Sequence, residues 1–295
     1  MMSSPQNNDS FSDRVRCLWD LMNPCTICPR NCRIYRSKGL IGFCGIGELP
    51  LVSSIGPHFG EESVLVGHGG SGTIFFTGCN LGCIFCQNYD ISHQRHGQQR
   101  SIDNLVAAML QLQHSGCVNI NFVTPTHVAP AIAAAIEAAR NKGLTLPTVY
   151  NCGGYDSVET LKLLEGLIDI YMPDMKYSSQ AVAKELSDAE DYPEINRLAV
   201  KEMHRQVGDL LVHNGLAKRG LLVRHLVLPN NLAGSFEIID FLADQISPNT
   251  AINIMNQYRP CYKAGEHKQV NRRSTTQEID HVRCYATEKG LTIID

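Results

Sequence analysis

The sequence predicts an α/β fold, an incomplete (β/α)6 TIM-like barrel with a cysteine-rich extension in front of it. Three observations carry that reading. From Thr73 onward, short β-rich apolar runs alternate with helical stretches, and parallel strands with right-handed helical crossovers are the economical way to join such alternation. There are six such units, too few for a closed eight-unit barrel, so one side stays open and admits a large substrate. The densest group of reactive side chains, 77–88, follows the first strand directly, where a barrel with its site at the strand C-termini places its first loop.

The elements follow in order. Residues 1–16 are polar, contain Asp9 and Asp13, and lack the apolar centre of a signal peptide; a disordered tail on a cytoplasmic protein is expected. Residues 17–72 form the extension. Cys25, Cys28, Cys32 and Cys44 lie in it with spacing C-x2-C-x3-C-x11-C, among Gly39, Gly42, Gly45 and Gly47. Four thiolates stabilise a segment that has no core of its own. Zinc and a second iron–sulfur cluster both suit them, and four unligated thiols are the bland alternative. Cys17 reads as a packing residue and Glu61-Glu62 as a solvated turn. Residues 49–72 read as one or two extended segments.

The barrel occupies 73–295. Strands are expected at 73–76, 118–123, 148–151, 167–172, 221–228 and 251–255, with a short last one at 291–294. Helices are expected at 101–114, where Ile102, Leu105, Val106, Met109 and Leu112 repeat at helical spacing, and at 129–141, with Pro130 in the first turn. Further helices are expected at 157–165, with Ser157 as N-cap, at 235–245 and at 275–289. Residues 179–207 read as two helices interrupted near Tyr192-Pro193.

The composition narrows the function. A net charge of −3 and a pI near 6.4 leave no electrostatic footprint for nucleic acid. No apolar run is long enough to span a membrane. Twelve cysteines in a chain of 295 residues with no signal sequence point to metal or redox chemistry rather than to disulfides.

Cys79, Cys83 and Cys86 carry the sharpest signal, spaced C-x3-C-x2-C. They are too close to pair usefully as disulfides and suit three thiolates on one metal centre. A closed zinc or iron–sulfur site takes four ligands, so three leave one metal position open to something that is not protein. A zinc knuckle or buried free thiols are the alternatives. Together with Phe85, the aromatic before the last cysteine, this run resembles the radical S-adenosylmethionine (radical SAM) superfamily. The resemblance implies a [4Fe-4S] cluster on the three cysteines, with SAM bound to the fourth iron through its amino and carboxylate groups. It further implies one-electron cleavage of SAM to a 5′-deoxyadenosyl radical, and an external reductant of the flavodoxin or ferredoxin class.

The whole pattern, with Cys28-Pro29-Arg30 in front, is similar to PflX-type proteins, relatives of the pyruvate formate-lyase activating enzyme. Activating enzymes place a radical on a glycine of a partner enzyme, so a glycyl radical enzyme is the implied partner. The four-cysteine segment departs from the known activases. A rival reading is a non-enzymatic electron carrier or redox sensor; another is radical modification of a different protein or of a small molecule.

The strand ends supply candidate SAM contacts. The resemblance implies a Gly-Gly-Glu-like run after the second strand; this chain has Thr124-Pro125-Thr126-His127 instead, and Thr124, Thr126 or His127 can take over that work. A Pro-rich turn capping the next helix is the plain alternative. Asn151 offers a donor and an acceptor for ribose hydroxyls, and Gly153-Gly154 permit a close backbone approach to a ligand. Asp174-x-Lys176 looks like the pair that contacts SAM in pyruvate formate-lyase activating enzymes; a surface ion pair is its alternative. Arg224, inside a buried strand, must meet a carboxylate, SAM's or the protein's own, while His225 points the other way as a packing histidine. Asn256 to Arg259 stand at the last strand end, and Lys268, Arg272 and Arg273 read as a solvated face.

Overall fold

Ten strands make one sheet in this computed structural model, which describes residues 12–295. The strands are β1 (Leu51–His58), β2 (Ser71–Phe76), β3 (Gln98–Gln99), β4 (Ile120–Val123), β5 (Thr148–Cys152), β6 (Ile170–Pro173), β7 (Leu211–His213), β8 (Leu216–Leu226), β9 (Ala251–Met255) and β10 (Thr292–Ile293). The helices are α1 (Asp13–Asp20), α2 (Ser63–Val66), α3 (Tyr89–Ser92), α4 (Ile102–His114), α5 (Ala129–Asn141), α6 (Val158–Leu163), α7 (Gln180–Ser187), α8 (Tyr192–Val207), α9 (Ser235–Gln245) and α10 (Thr276–Glu288).

The spatial order is β10-β9-β8-β6-β5-β4-β2-β1-β3. Every pair from β2 to β10 along that order is parallel, and β1 lies antiparallel on the outer side of β2. Helices cross over between the parallel strands, which is the incomplete barrel that the alternation predicts.

Residue alternation sorts the strands' two faces. Ile120, Phe122, Tyr150, Tyr171, Val223 and Ile252 pack with the helices in the main core. Val149, Ile170, Met172, Leu222 and Ala251 form a second core inside the barrel, together with Leu65 of α2. Leu65 is there because residues 61–66 run from the β1–β2 end of the sheet to its other end, where the Ser63 amide donates to Asp295 O at 3.0 Å.

Several expectations need correction. The tail expected over 1–16 falls partly at 1–11, outside the described residues, but α1 begins at Asp13. Ser12 caps it by accepting from the Val15 amide, and Val15 and Leu18 bury their side chains. Cys17 lies on the opposite face and is exposed rather than packed. The fifth barrel strand starts at Leu216, earlier than the expected 221, because β7 and β8 form a hairpin. Its turn is Asn214-Gly215, with φ of 51° and 76°, the left-handed pair that a tight hairpin demands. Glu61-Glu62 is not a solvated turn: Glu62 is buried and the Glu61 side chain nearly so.

Candidate active site

The loop after β2 delivers three thiols to the mouth of one cavity of about 980 Å³. Cys79, Cys83 and Cys86 line it together with Thr124, Asn151, Asp174, Lys176 and Arg224. Eight of the ten residues expected at the catalytic end are therefore brought together.

The loop is held from both sides. Gly78 has φ of 76°, and a Cβ there would stand 2.5 Å from Cys44 O, so only glycine lets the loop lie on the extension. Phe85 is buried edge-on against Tyr177 and Tyr258, at 6.4 and 5.7 Å between ring centres. Each sulfur has a polar neighbour: the Leu81 amide donates to Cys79 Sγ at 3.3 Å, the Ser187 hydroxyl to Cys83 Sγ at 2.9 Å, and the Ser92 hydroxyl stands 3.1 Å from Cys86 Sγ. Hydrogen bonds of this kind orient thiolate ligands and tune a cluster. Burial pushes the Cys79 and Cys86 thiols above their ordinary values, and the neighbouring thiols add to it.

In the same cavity, Lys176 Nζ meets Asp174 Oδ2 at 2.5 Å, both groups mostly buried. Burial alone would lower the Lys176 value; Asp174, aided by Cys83 and Cys86, outweighs it and holds the ammonium above its ordinary range. A fixed cation therefore stands within electrostatic reach of the cysteine loop.

Arg224 meets protein acids. Its Nε and Nη2 grip Glu62 at 2.6 and 2.7 Å, Nη2 also reaches Glu61 at 2.5 Å, and Nη1 donates to Asn151 Oδ1 at 3.3 Å. Asn253 donates to Glu62 at 2.8 Å as well. Burial would raise the Glu62 value, but Arg224 overcomes that and lowers it. Glu61, Glu62, Asn253 and His58, which stands 3.0 Å from Glu61, also line the cavity. The sequence reading missed them, although the search for an acid to answer Arg224 would have led to Glu61-Glu62.

Thr126 and His127 are not in the site. Thr124 takes φ of 59°, strained for a β-branched residue, and Pro125 follows it. The chain then turns inward as a short 3-10 segment at Thr126–Val128. Thr126 Oγ1 donates to buried Asp156 at 2.7 Å, and His127 Nε2 to Thr77 O at 2.8 Å. Burial, with the positive charge of Arg36, lowers the His127 value to about 3. Thr124 keeps its place on the cavity wall.

Of the two glycines, Gly154 serves packing. A Cβ on Gly154, which has φ of 74°, would collide with Asp174 O, so the Asp174 segment demands that glycine, whereas Gly153 meets only the tip of the Leu81 side chain at 2.9 Å and lines the cavity. Cys152 borders the cavity, but its side chain is buried beside Asp156.

Among the described residues, no three His, Cys, Asp or Glu side chains converge as they would around one metal ion. A cubane cluster makes no such demand, since each thiolate takes its own iron. In the extension, Cys25, Cys28, Cys32 and Cys44 lie within electrostatic reach of one another, and burial pushes the Cys28 thiol up to about 12. No helix among the described residues is long and apolar enough to cross a membrane.

The family model of the radical SAM superfamily matches residues 73–219. An uncharacterized protein of Methanocaldococcus jannaschii is 32% identical over 292 residues, covering 95% of this chain and 79% of its own. A radical SAM methyltransferase from Sphaerobacter thermophilus has a similar fold, with a TM-score of 0.51 at 13% identity over 75% of this chain; the chain spans 65% of that protein. The FeFe-hydrogenase maturase HydG from Carboxydothermus hydrogenoformans gives 0.48 at 13% identity, over 73% of this chain and 55% of its own.

Proposed function

The chain belongs to the radical SAM superfamily, and from that premise we propose that it cleaves S-adenosylmethionine reductively to abstract hydrogen from a substrate. One observation carries the proposal: three thiols and the Lys176 ammonium line a single cavity, with Cys83 and Cys86 within electrostatic reach of the ammonium.

The residues suit the family's cofactors. Cys79, Cys83 and Cys86 would each hold an iron of a [4Fe-4S] cluster. When bound, the cluster supplies one electron that splits the SAM sulfonium into methionine and a 5′-deoxyadenosyl radical. Lys176 would hold the SAM carboxylate and Asp174 would complement a cation. Asn151 has its carbonyl committed to Arg224 and its amide free to meet a ribose oxygen. Arg224, already gripped by two acids, holds the wall on which Asp174 stands, since the Met175 amide bonds Arg224 O at 2.8 Å.

The electron comes from outside, from a carrier of the flavodoxin or ferredoxin class. All twelve cysteines are free, which suits a reducing compartment such as the cytoplasm. The substrate is proposed to be a backbone glycine of a partner enzyme, on the likeness of Asp174-x-Lys176 to the activating enzymes.

Reconstituted without oxygen, reduced and given SAM, the protein should release 5′-deoxyadenosine, and Cys83→Ala should abolish this. An intact, reduced cluster that leaves SAM whole would favour an electron carrier instead. Mixing with a candidate glycyl radical enzyme should produce a glycyl radical signal by electron paramagnetic resonance; SAM cleavage without that signal would point to another substrate.

A further inference from the structure

Arg36 is a buried cation with no carboxylate partner among the described residues. It is 2% exposed, and among the described residues it makes no ion pair with Asp or Glu. Its Nη1 donates to His127 O at 2.7 Å, its Nη2 to Cys44 Sγ at 2.8 Å, and its Nε has no partner. A guanidinium keeps its charge throughout the range in which proteins are folded, and an ion taken out of water needs a counter-charge. The groups available to supply it are the sulfurs of the extension, Cys44 in contact and Cys25 within electrostatic reach.

Four thiols as such do not provide that charge; four thiolates on a metal do. An oxidised [4Fe-4S] cluster leaves two net negative charges when four thiolates bind it, and unlike a single zinc ion it does not need the sulfurs to meet around one point, which among the described residues they do not do. The same cation is joined to the catalytic loop. From Arg36 the contacts pass to His127 and from His127 Nε2 to Thr77 O at 2.8 Å, two residues before Cys79. A second link runs alongside: Arg30 Nε donates to Asn80 O at 2.8 Å.

We propose that Cys25, Cys28, Cys32 and Cys44 hold a second [4Fe-4S] cluster, that Arg36 is its counter-ion, and that the Arg36–His127–Thr77 contacts hold the first ligating turn of the catalytic cluster in position. The metal centre stands independently of the SAM reading; the positioning step rests on it.

Metal and acid-labile sulfide analysis tests the centre in Cys79→Ala/Cys83→Ala/Cys86→Ala protein prepared without oxygen. The expected result is about four iron with about four sulfide per chain. Zinc without sulfide, or no metal above trace level, would overturn the proposal. Cys32→Ala, which removes a partly exposed ligand and leaves Arg36 seated, should then lose that metal; full retention would also overturn it.

For the counter-ion, Arg36→Met should release the metal to a chelator with about 10-fold to about 100-fold lower affinity, as loss of an outer-shell partner does, and Arg36→Lys should fall between. Equal affinity in all three proteins would refute that role. For positioning, the electron paramagnetic resonance spectrum of the reduced catalytic cluster should change in His127→Ala and be restored in part by His127→Gln, which keeps a donor near Thr77 O. Unchanged spectra would remove this part. A chain that fails to cleave SAM would still give its metal count, so the two readings fail separately.

Discussion

Replacing Arg224 by Met tests the interior of the barrel. The Glu62 side chain is 0% exposed and accepts two hydrogen bonds from Arg224, at 2.6 and 2.7 Å, with Glu61 also on Arg224 Nη2. Methionine keeps most of the stem and deletes the charge, leaving two carboxylates side by side with only the Asn253 amide and His58 as partners. Breaking a buried pair from one side costs about 3–5 kcal/mol. At about 2 °C per kcal/mol, the lower end for large domains, the melting midpoint should fall by about 6–10 °C at neutral pH.

The deficit should depend on pH with a defined sign. In the native protein Arg224 holds the Glu62 value below normal, so this contribution is present above the unfolded value and lost as pH falls through the folded one. In Arg224→Met, burial acts unopposed and raises the Glu62 value. The folded variant then binds a proton that the unfolded chain has released, and its deficit shrinks as pH falls from neutral towards about 5. Thermal melts of anaerobic protein at several pH values measure this. Arg224→Met/Glu62→Gln should recover part of the loss, since Glu61, which keeps His58 beside it, is then the one carboxylate left opposite the deleted partner. A shift under about 2 °C, or a double variant that simply adds the two single losses, would refute the reasoning.

Other perturbations separate binding from packing. Lys176→Met should weaken SAM binding by about 10-fold to about 100-fold, the worth of a charged hydrogen bond of about 1.5–3 kcal/mol, measured by equilibrium binding to the cluster-loaded protein; unchanged affinity would free Lys176 from that role. Thr126→Val should lower the melting midpoint while leaving SAM affinity unchanged, because its hydroxyl serves Asp156 and not the cavity; a weakened affinity would return it to the site. His225 is fully buried between Met175 O and Ser235, and burial lowers its value to about 4. The unfolded chain binds that proton first, so stability should fall by about 1.4 kcal/mol per pH unit from about 6.5 down to the folded value. His225→Gln should flatten the acid limb of a melting-midpoint profile.

Much of the barrel could be read from the sequence because its signals are local. The helix at 235–245 and the strand at 251–255 fall where their patterns place them, matching α9 and β9, since each buries one face or both without help from afar. The β7–β8 hairpin also had a local signal, Asn214-Gly215, but residues 211–219 are largely exposed and lack an apolar pattern to draw attention to it. Thr126 and His127 misled for a different reason. Position after a strand says which end of the barrel a residue occupies, and a single left-handed residue at Thr124 then decides whether its successors face the cavity or the core.

Charge inside the fold obeys a less local rule. Arg224 in an apolar strand announces that an acid must lie nearby, and the acid proves to be 162 residues away in sequence, on the segment that crosses the barrel. The requirement was readable; the partner was not, because Glu61-Glu62 among glycines looks like any surface turn. Arg36 poses the same question with no carboxylate among the described residues to answer it, and its nearest candidate anions are thiols that become reliably anionic only when a metal binds. A barrel that spends one arginine closing its own floor and another facing four cysteines therefore argues for a counter-charge at both places. The two cases differ in how they fail. Without Glu62, Arg224 still has Glu61; without a metal, Arg36 has no full anion, and the loop bearing Cys79 rests on the same contacts. Metal removed from the extension by a chelator should therefore lower the melting midpoint of native protein, and should do so less in Arg36→Met, where no cation is left stranded. An equal fall in both proteins would break the link between that charge and those sulfurs.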